Sequence, residues 1–289
     1  MDRIAGLGDG RRFRALMTLP GLLVTGGLVL FSLALTLVLA FRANDGGVIL
    51  GPVSARNFAA IATDGLYAMV MLRSLWIAGL VTLATVVLAY PVAWYLAFHA
   101  GRRQGLILFL VTLPFWTSYL LRVFAWKIVL AYNGVLNSAA LSLGILSEPT
   151  TALLNNRTAV VITLAHAYAP FAILPIFVAL QTIPRSLIEA ATDLGASRAQ
   201  VFRRIILPLS MPGVLGGALL VFVPTLGDYV TPALVGGPTS VMIGNLIQAQ
   251  FGKANDWPFG AALAVATMLV ILGVLLAVRQ TDRRIGSGR

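Results

Sequence analysis

The run FGAALAVATMLVILGVLLAV, residues 259–278, contains twenty consecutive residues with no ionisable side chain. A helix rises about 1.5 Å per residue, so this run alone matches the roughly 30 Å of hydrocarbon in a bilayer. Lipid leaves backbone polar groups without partners, and a helix is how a single segment satisfies them internally. Working back toward the amino terminus, five further runs share this character, at 15–41, 74–98, 105–121, 158–182 and 205–226. The shortest, 105–121, leads straight into Arg122 and Lys127, which alone mark its end.

The whole chain carries the same bias. It is 58% hydrophobic and 11% charged, with a mean hydropathy of +0.90, whereas soluble domains are about 25% charged. A water-soluble fold is excluded, and the expected class is all-α, a polytopic membrane protein with six transmembrane helices. The net charge of +11 does not point to nucleic acid, because fourteen of the 21 Lys and Arg fall in alternate connections: the amino terminus, 99–104, 183–204 and the carboxyl tail. Positive charge collects on the cytoplasmic side, so both termini are expected there. Arg3, Arg11, Arg12 and Arg14 precede an apolar run longer than the roughly 7–15 residues of a signal-peptide core, so the first span is expected to be retained. With no cysteine, the chain has no disulfide framework, thiolate metal site or thiol nucleophile.

Pro170 and Pro175 lie in the fourth run, and Pro208, Pro212 and Pro224 in or beside the fifth. Each removes a backbone donor. Two readings stay open, ordinary kinked helices and broken helices lining a path.

Between the fourth and fifth runs, the sequence from Pro184 to Gly195 changes register. Ser186 and Glu189 have the S-x-x-E spacing of a capping box and predict a helix start. Gly195 suits the left-handed residue that closes such a helix, and Ser197 with Gln200 predicts a second cap. Leu187, Ala190, Ala191 and Leu194 then form one apolar stripe, with Glu189 and Asp193 one turn apart. Such a stripe outside the membrane packs against the chain's own spans or docks a soluble partner.

Glu189-Ala190-Ala191, then Gly195, then Ile205-x-Leu207-Pro208, resembles the EAA loop of bacterial ABC importer permeases, EAA-x3-G-x9-I-x-L-P, with both internal spacings intact. The resemblance implies the type I ABC importer permease fold, with Leu187, Ile188, Glu189, Ala190, Ala191, Asp193, Leu194 and Gly195 contacting an ATP-hydrolysing subunit. It also implies residues 1–69 as amino terminus, first span and first outer loop, 70–280 as the core permease domain with the coupling loop at 183–208, and 281–289 as a cytoplasmic tail. The stretches from Leu121 to Trp126, from Asn133 to Asn137, from Gly227 to Pro232 and from Asp256 to Gly260 are similar to the first permease subunit of the spermidine/putrescine-type family. That implies a bacterial inner (plasma) membrane location, a heterodimer with a second related permease, an ATPase homodimer holding the ATP and Mg, and an extracytoplasmic solute-binding protein. Relatives in that family carry opines, amino acid derivatives or ferric compounds, which stay open as alternatives to a polyamine.

A cationic amine calls for a carboxylate and aromatic faces. Asp228 with Tyr229 at the outer end of the fifth run, and Trp116, Tyr119 and Trp126 around the end of the third, are the candidates. Interfacial aromatics and a loop-capping aspartate would look the same. His166, alone in an apolar run, reads as a structural hydrogen-bond partner, with a proton relay as the other reading. No G-x4-G-K-[ST] loop, H-E-x-x-H pair or Ser-His-Asp set occurs, so neither a catalytic group nor a metal site is expected on this chain. An intramembrane enzyme is disfavoured for that reason. An ion-coupled carrier is disfavoured by the scarcity of acidic residues within the spans.

Overall fold

Segments that meet lipid must satisfy their own backbones, and here they do so as helices. The computed structural model describes residues 10–44 and 51–286. Arg3 and residues 287–289 lie outside the described residues. Six helical runs are long and apolar enough to cross a membrane, Leu23–Ala40, Gly65–Phe98, Tyr119–Ser142, Arg157–Gln181, Arg198–Gly227 and Trp257–Val278.

Three of these depart from the sequence expectation. The second begins at Gly65 rather than 74, because Asp64 caps it by accepting the Leu66 amide at 2.9 Å. Arg73 is carried inside the helix instead of ending it. The expected third span at 105–121 is not one helix. Helix α4, Gln104–Thr112, tightens into a 3-10 turn at Leu113–Trp116 that carries Pro114 near its start. Thr117 and Ser118 are then extended, with ψ of 148° and 134°, and α5, Tyr119–Leu130, starts afresh, followed by α6, Val135–Ser142. Hydropathy does not register this break, since no charged residue lies between Gly105 and Leu121 and the break falls inside that run. The fifth run starts at Arg198, seven residues before the expected 205.

The other helices are α1, Gly10–Ala40, α2, Arg56–Thr63, α3, Gly65–Phe98, α7, Arg157–Gln181, α8, Arg185–Asp193, α9, Arg198–Val201, α10, Leu207–Gly227, α11, Ile243–Gly252, and α12, Trp257–Gly286. Helix α3 stays unbroken through Pro91, α7 through Pro170 and Pro175, and α10 through Pro212 and Pro224. At those positions the helices are continuous rather than broken. The interruptions lie at Thr117–Ser118 and just before Pro208.

The described residues divide into two compact units. In the first, comprising residues up to 63 and 249–266, the end of α1 packs Leu39 and Ala40 against Ala261, Ala262 and Val265. Asn57 of α2 donates to the Ala40 and Arg42 carbonyls at 3.2 and 2.9 Å, closing the end of α1. In the second unit, which takes in residues 64–248 and the described residues from 267 on, α7 is the central helix and packs on α3 and α10. Its core joins Ile77 and Val81 of α3, Val123 and Leu130 of α5, Leu164 and Ile176 of α7, and Val221 of α10. Small residues let the backbones close up, as at Gly213, whose missing Cβ faces Ala179 and the Pro175 carbonyl.

Candidate functional site

The elbow between α7 and α10 is built by local rules. Helix α8 opens on Pro184, whose extended geometry (φ −61°, ψ 129°) already provides the entry, and no side chain caps it. The expected Ser186–Glu189 box therefore does not form. Ser186 lies within the first helical turn, two residues past the cap position. At the other end, Gly195 has a φ of +82°, its amide bonds to the Thr192 carbonyl at 2.9 Å, and the Ala196 amide reaches back to Ala191 at 3.0 Å. This pair of bonds is the Schellman closure that a left-handed glycine permits. The second cap forms as its spacing predicts: Gln200 Oε1 accepts the Ser197 amide at 2.8 Å and Ser197 Oγ accepts the Gln200 amide.

The expected stripe divides between two directions. Ala191 turns inward beside Ile188, and both pack against the core. Leu187 and Leu194, 46% and 89% exposed, face outward with Ala190. Glu189 and Asp193 are also exposed. A cleft of about 440 Å³ opens beside Leu194, lined by Gly195, Ala196, Gln200 and Arg204. An outward apolar face next to a cleft is a surface to which another molecule can bind.

The second locus lies where α5, α7 and the end of α10 meet. Asp228, 7% exposed, ends α10 in an extended conformation. Its Oδ1 accepts the Val230 amide at 3.0 Å and, more weakly, that of Thr231 at 3.5 Å. Tyr119 Oη donates to Asp228 Oδ2 at 2.7 Å and shares a 2.6 Å hydrogen bond with Thr231 Oγ1. Tyr119 stacks on Tyr168 with centroids 6.3 Å apart. The Arg122 guanidinium lies 5.8 Å from the Tyr119 ring centre, and its Nη1 donates to the Ala167 carbonyl at 3.0 Å. Its Nε is buried without a hydrogen-bond partner among the described residues.

Of the sequence candidates, the structure brings Tyr119 and Asp228 together. Trp126 sits further along α5, donating from Nε1 to His166 Nδ1 at 3.1 Å, which is the structural hydrogen bond expected of that histidine. Trp116 stands before the helix break, 83% exposed, and Tyr229 is 46% exposed, with its carbonyl accepting from the Asn245 side-chain Nδ2 at 2.7 Å. Sequence reasoning missed Tyr168, Thr231 and Arg122. Tyr168 lies one position from the Ala167 carbonyl held by Arg122, a relation that exists only once α5 has paired with α7.

Residues 11–287 match the family described as binding-protein-dependent transport system inner membrane component. The chain is 39% identical over 258 residues to the spermidine/putrescine transport system permease protein PotB of Escherichia coli K12, covering 88% of this chain and 93% of that one. It is 37% identical to PotB of Haemophilus influenzae, over 86% and 87% of the two chains. The inner membrane ABC transporter permease protein YdcU of E. coli K12 is 33% identical, over 91% and 88%. Among solved structures, a bacterial alginate ABC transporter in complex with an alginate pentasaccharide-bound periplasmic protein superposes with a TM-score of 0.70 at 19% identity, covering 94% of this chain and 96% of that one. The MetNI methionine ABC transporter in an inward-facing conformation gives 0.55 at 18%, covering 75% and 95%.

Proposed function

The chain belongs to the binding-protein-dependent transport system inner membrane components, and from that premise we propose that it is the permease subunit of an ATP-driven polyamine importer. The observation that carries this reading is the outward face of α8, where, among the described residues, Leu194 and Ala190 are exposed and Leu187 is left about half uncovered. Burying apolar surface against a partner stabilises a contact by roughly 25 cal/mol per Å², and most of that surface here belongs to Leu194, 89% exposed. The partner that fits is an ATPase dimer, which holds the ATP and Mg. Contact falls on the segment from Leu187 to Gly195, with Glu189 and Asp193 beside the apolar face.

ATP-driven closure of that partner moves α8, and the stiff Gly195 turn passes the movement into α9 and α10. The spans then exchange inward- and outward-open states, and the shift cannot exceed the difference in the ATPase's affinity for the two. A second, related permease completes the pathway as a heterodimer. A solute-binding protein on the outer side delivers the cargo. Both termini are cytoplasmic in the bacterial inner membrane, as the Lys and Arg distribution favours.

Identity to the PotB proteins supports spermidine or putrescine as cargo. Asp228 is the carboxylate that meets an ammonium, and the ammonium enters by replacing Tyr119 Oη at Oδ2. Arg122 already lies against the Tyr119 face. Trp116 and Tyr229 are exposed and free to offer ring faces, while Trp126 stays engaged with His166. Photocross-linking from Leu194 in native membranes tests the core of the reading. Capture of an ATP-hydrolysing protein is expected, and capture of lipid alone refutes docking.

A further inference from the structure

Span five does not run straight from the elbow into the membrane. Between α9 and α10, residues Phe202–Ile206 form a π-helical turn, with the Leu207 amide bonded to the Phe202 carbonyl five residues back. Pro208 explains the turn: it has no amide for the Arg204 carbonyl, and in an unbroken α-helix its ring would press on that group. The extra residue rotates everything upstream by about 100° about the helix axis, since an α-helix has 3.6 residues per turn. Such turns concentrate at functional sites.

The rotation sends Phe202 into α3. Its ring meets Tyr90 edge-on, with centroids 5.9 Å apart, and Trp94 at 5.6 Å. Trp94 in turn packs on Phe98 at 4.9 Å. Two turns beyond Phe202, Ser210 Oγ lies 2.9 Å from Tyr90 Oη, pinning α10 to the same tyrosine. The inner side of α8 enters the same core through Ile188 and Ala191. The elbow is thus wedged against span two as well as joined to span five.

We infer that Phe202 is a positioning residue for coupling: set by the π-turn and held between Tyr90 and Trp94, it makes α3 move with α8. This rests on the reading of α8 as the ATPase contact. The test uses the full importer purified through this chain, with encoded spin-labelled side chains at Ser186 on α8 and at the outward-facing Leu83 on α3. On adding a non-hydrolysable ATP analogue, the separation in the otherwise unchanged chain should stay within about 2 Å, the scale of ordinary helix shifts. In Phe202→Leu it should change by more than that. Spermidine uptake should fall about tenfold while ATP hydrolysis stays within about twofold, as expected when a coupling energy is lost. Phe202→Tyr, which keeps the ring, should behave as the parent. If Phe202→Leu does not assemble, Trp94→Leu removes the facing ring and is read the same way. A nucleotide-driven change of separation in the parent, or unchanged uptake per ATP in the leucine variant, overturns the relay alone. A parent that purifies with no ATPase overturns both the relay and the function it rests on.

Discussion

Tyr119 Oη donates to Asp228 Oδ2 across 2.7 Å, joining the first turn of α5 to the end of α10 although the two residues are 109 positions apart in sequence. The carboxylate also accepts two backbone amides, the second at 3.5 Å, so both oxygens of the acidic group proposed for the pathway are already engaged from within. An ammonium that approaches Oδ2 competes there with Tyr119. Such competition favours transient binding.

Replacing either partner separates structure from transport. Tyr119→Phe keeps the ring on Tyr168 and removes the donor, so the purified complex should lose about 1 kcal/mol of stability, typical of a hydrogen bond between spans, and still import spermidine. Asp228→Asn removes the charge and should lower uptake about tenfold, in line with a cation losing its counter-charge. Unchanged affinity and rate for spermidine in Asp228→Asn would take that carboxylate out of the path.

Gly195 combines a φ of +82° with a donated amide, and proline satisfies neither demand. Gly195→Pro should spoil the Schellman closure, destabilising the elbow by about 3 kcal/mol as proline does inside hydrogen-bonded turns. ATP-driven uptake should be lost. Normal assembly and normal transport by the variant would show that the turn has no part in coupling.

The features legible in the sequence were those fixed by neighbours. Gly195 and the Ser197–Gln200 cap involve residues three or four apart, and the six spans follow from the demand of lipid for about twenty apolar residues. At Ser186 the same local logic failed, because Pro184 already supplied the extended entry two residues earlier. The break at Thr117–Ser118 falls inside the uncharged run 105–121, so hydropathy passed over it. Pairings such as Tyr90 with Ser210, Arg122 with the Ala167 carbonyl and Trp126 with His166 span 40 to 120 residues. One chain read by itself carries no signal for them.

His166 serves as an acceptor for Trp126, and a relay would make it more than that. His166→Phe should cost about 0.6–1.7 kcal/mol, the range measured for hydrogen bonds between spans. His166→Gln, which still offers an acceptor, should recover most of it. The dependence of uptake on external pH should be the same in both variants and in the parent. A changed pH profile would restore the proton-relay reading.

Gly213 and Gly216 lie one turn apart on α10 and make opposite predictions. A Cβ at Gly213 would lie 2.5 Å from the Pro175 carbonyl of α7, whereas one at Gly216 meets nothing within 4 Å. Gly213→Val should force α10 off α7 and cost about 1–3 kcal/mol, the usual penalty of overpacking. Gly216→Val should leave the melting temperature of the purified chain unchanged. Equal effects at the two positions would mean that the α7–α10 approach is not set by the small residue.

Orientation can be read directly, because the chain has no cysteine of its own. From the charge distribution, Gln104, after Arg102 and Arg103, is expected on the cytoplasmic side, and Asn255, in a connection whose only basic residue is Lys253, on the outer side. In intact spheroplasts, a membrane-impermeant maleimide should modify Asn255→Cys and spare Gln104→Cys until the membrane is opened. The elbow follows Gln104 by two further spans and must share its side, so the same experiment decides whether α8 faces the compartment that contains ATP. Labelling of Gln104→Cys from outside would place α8 away from nucleotide, and no ATPase could then drive it.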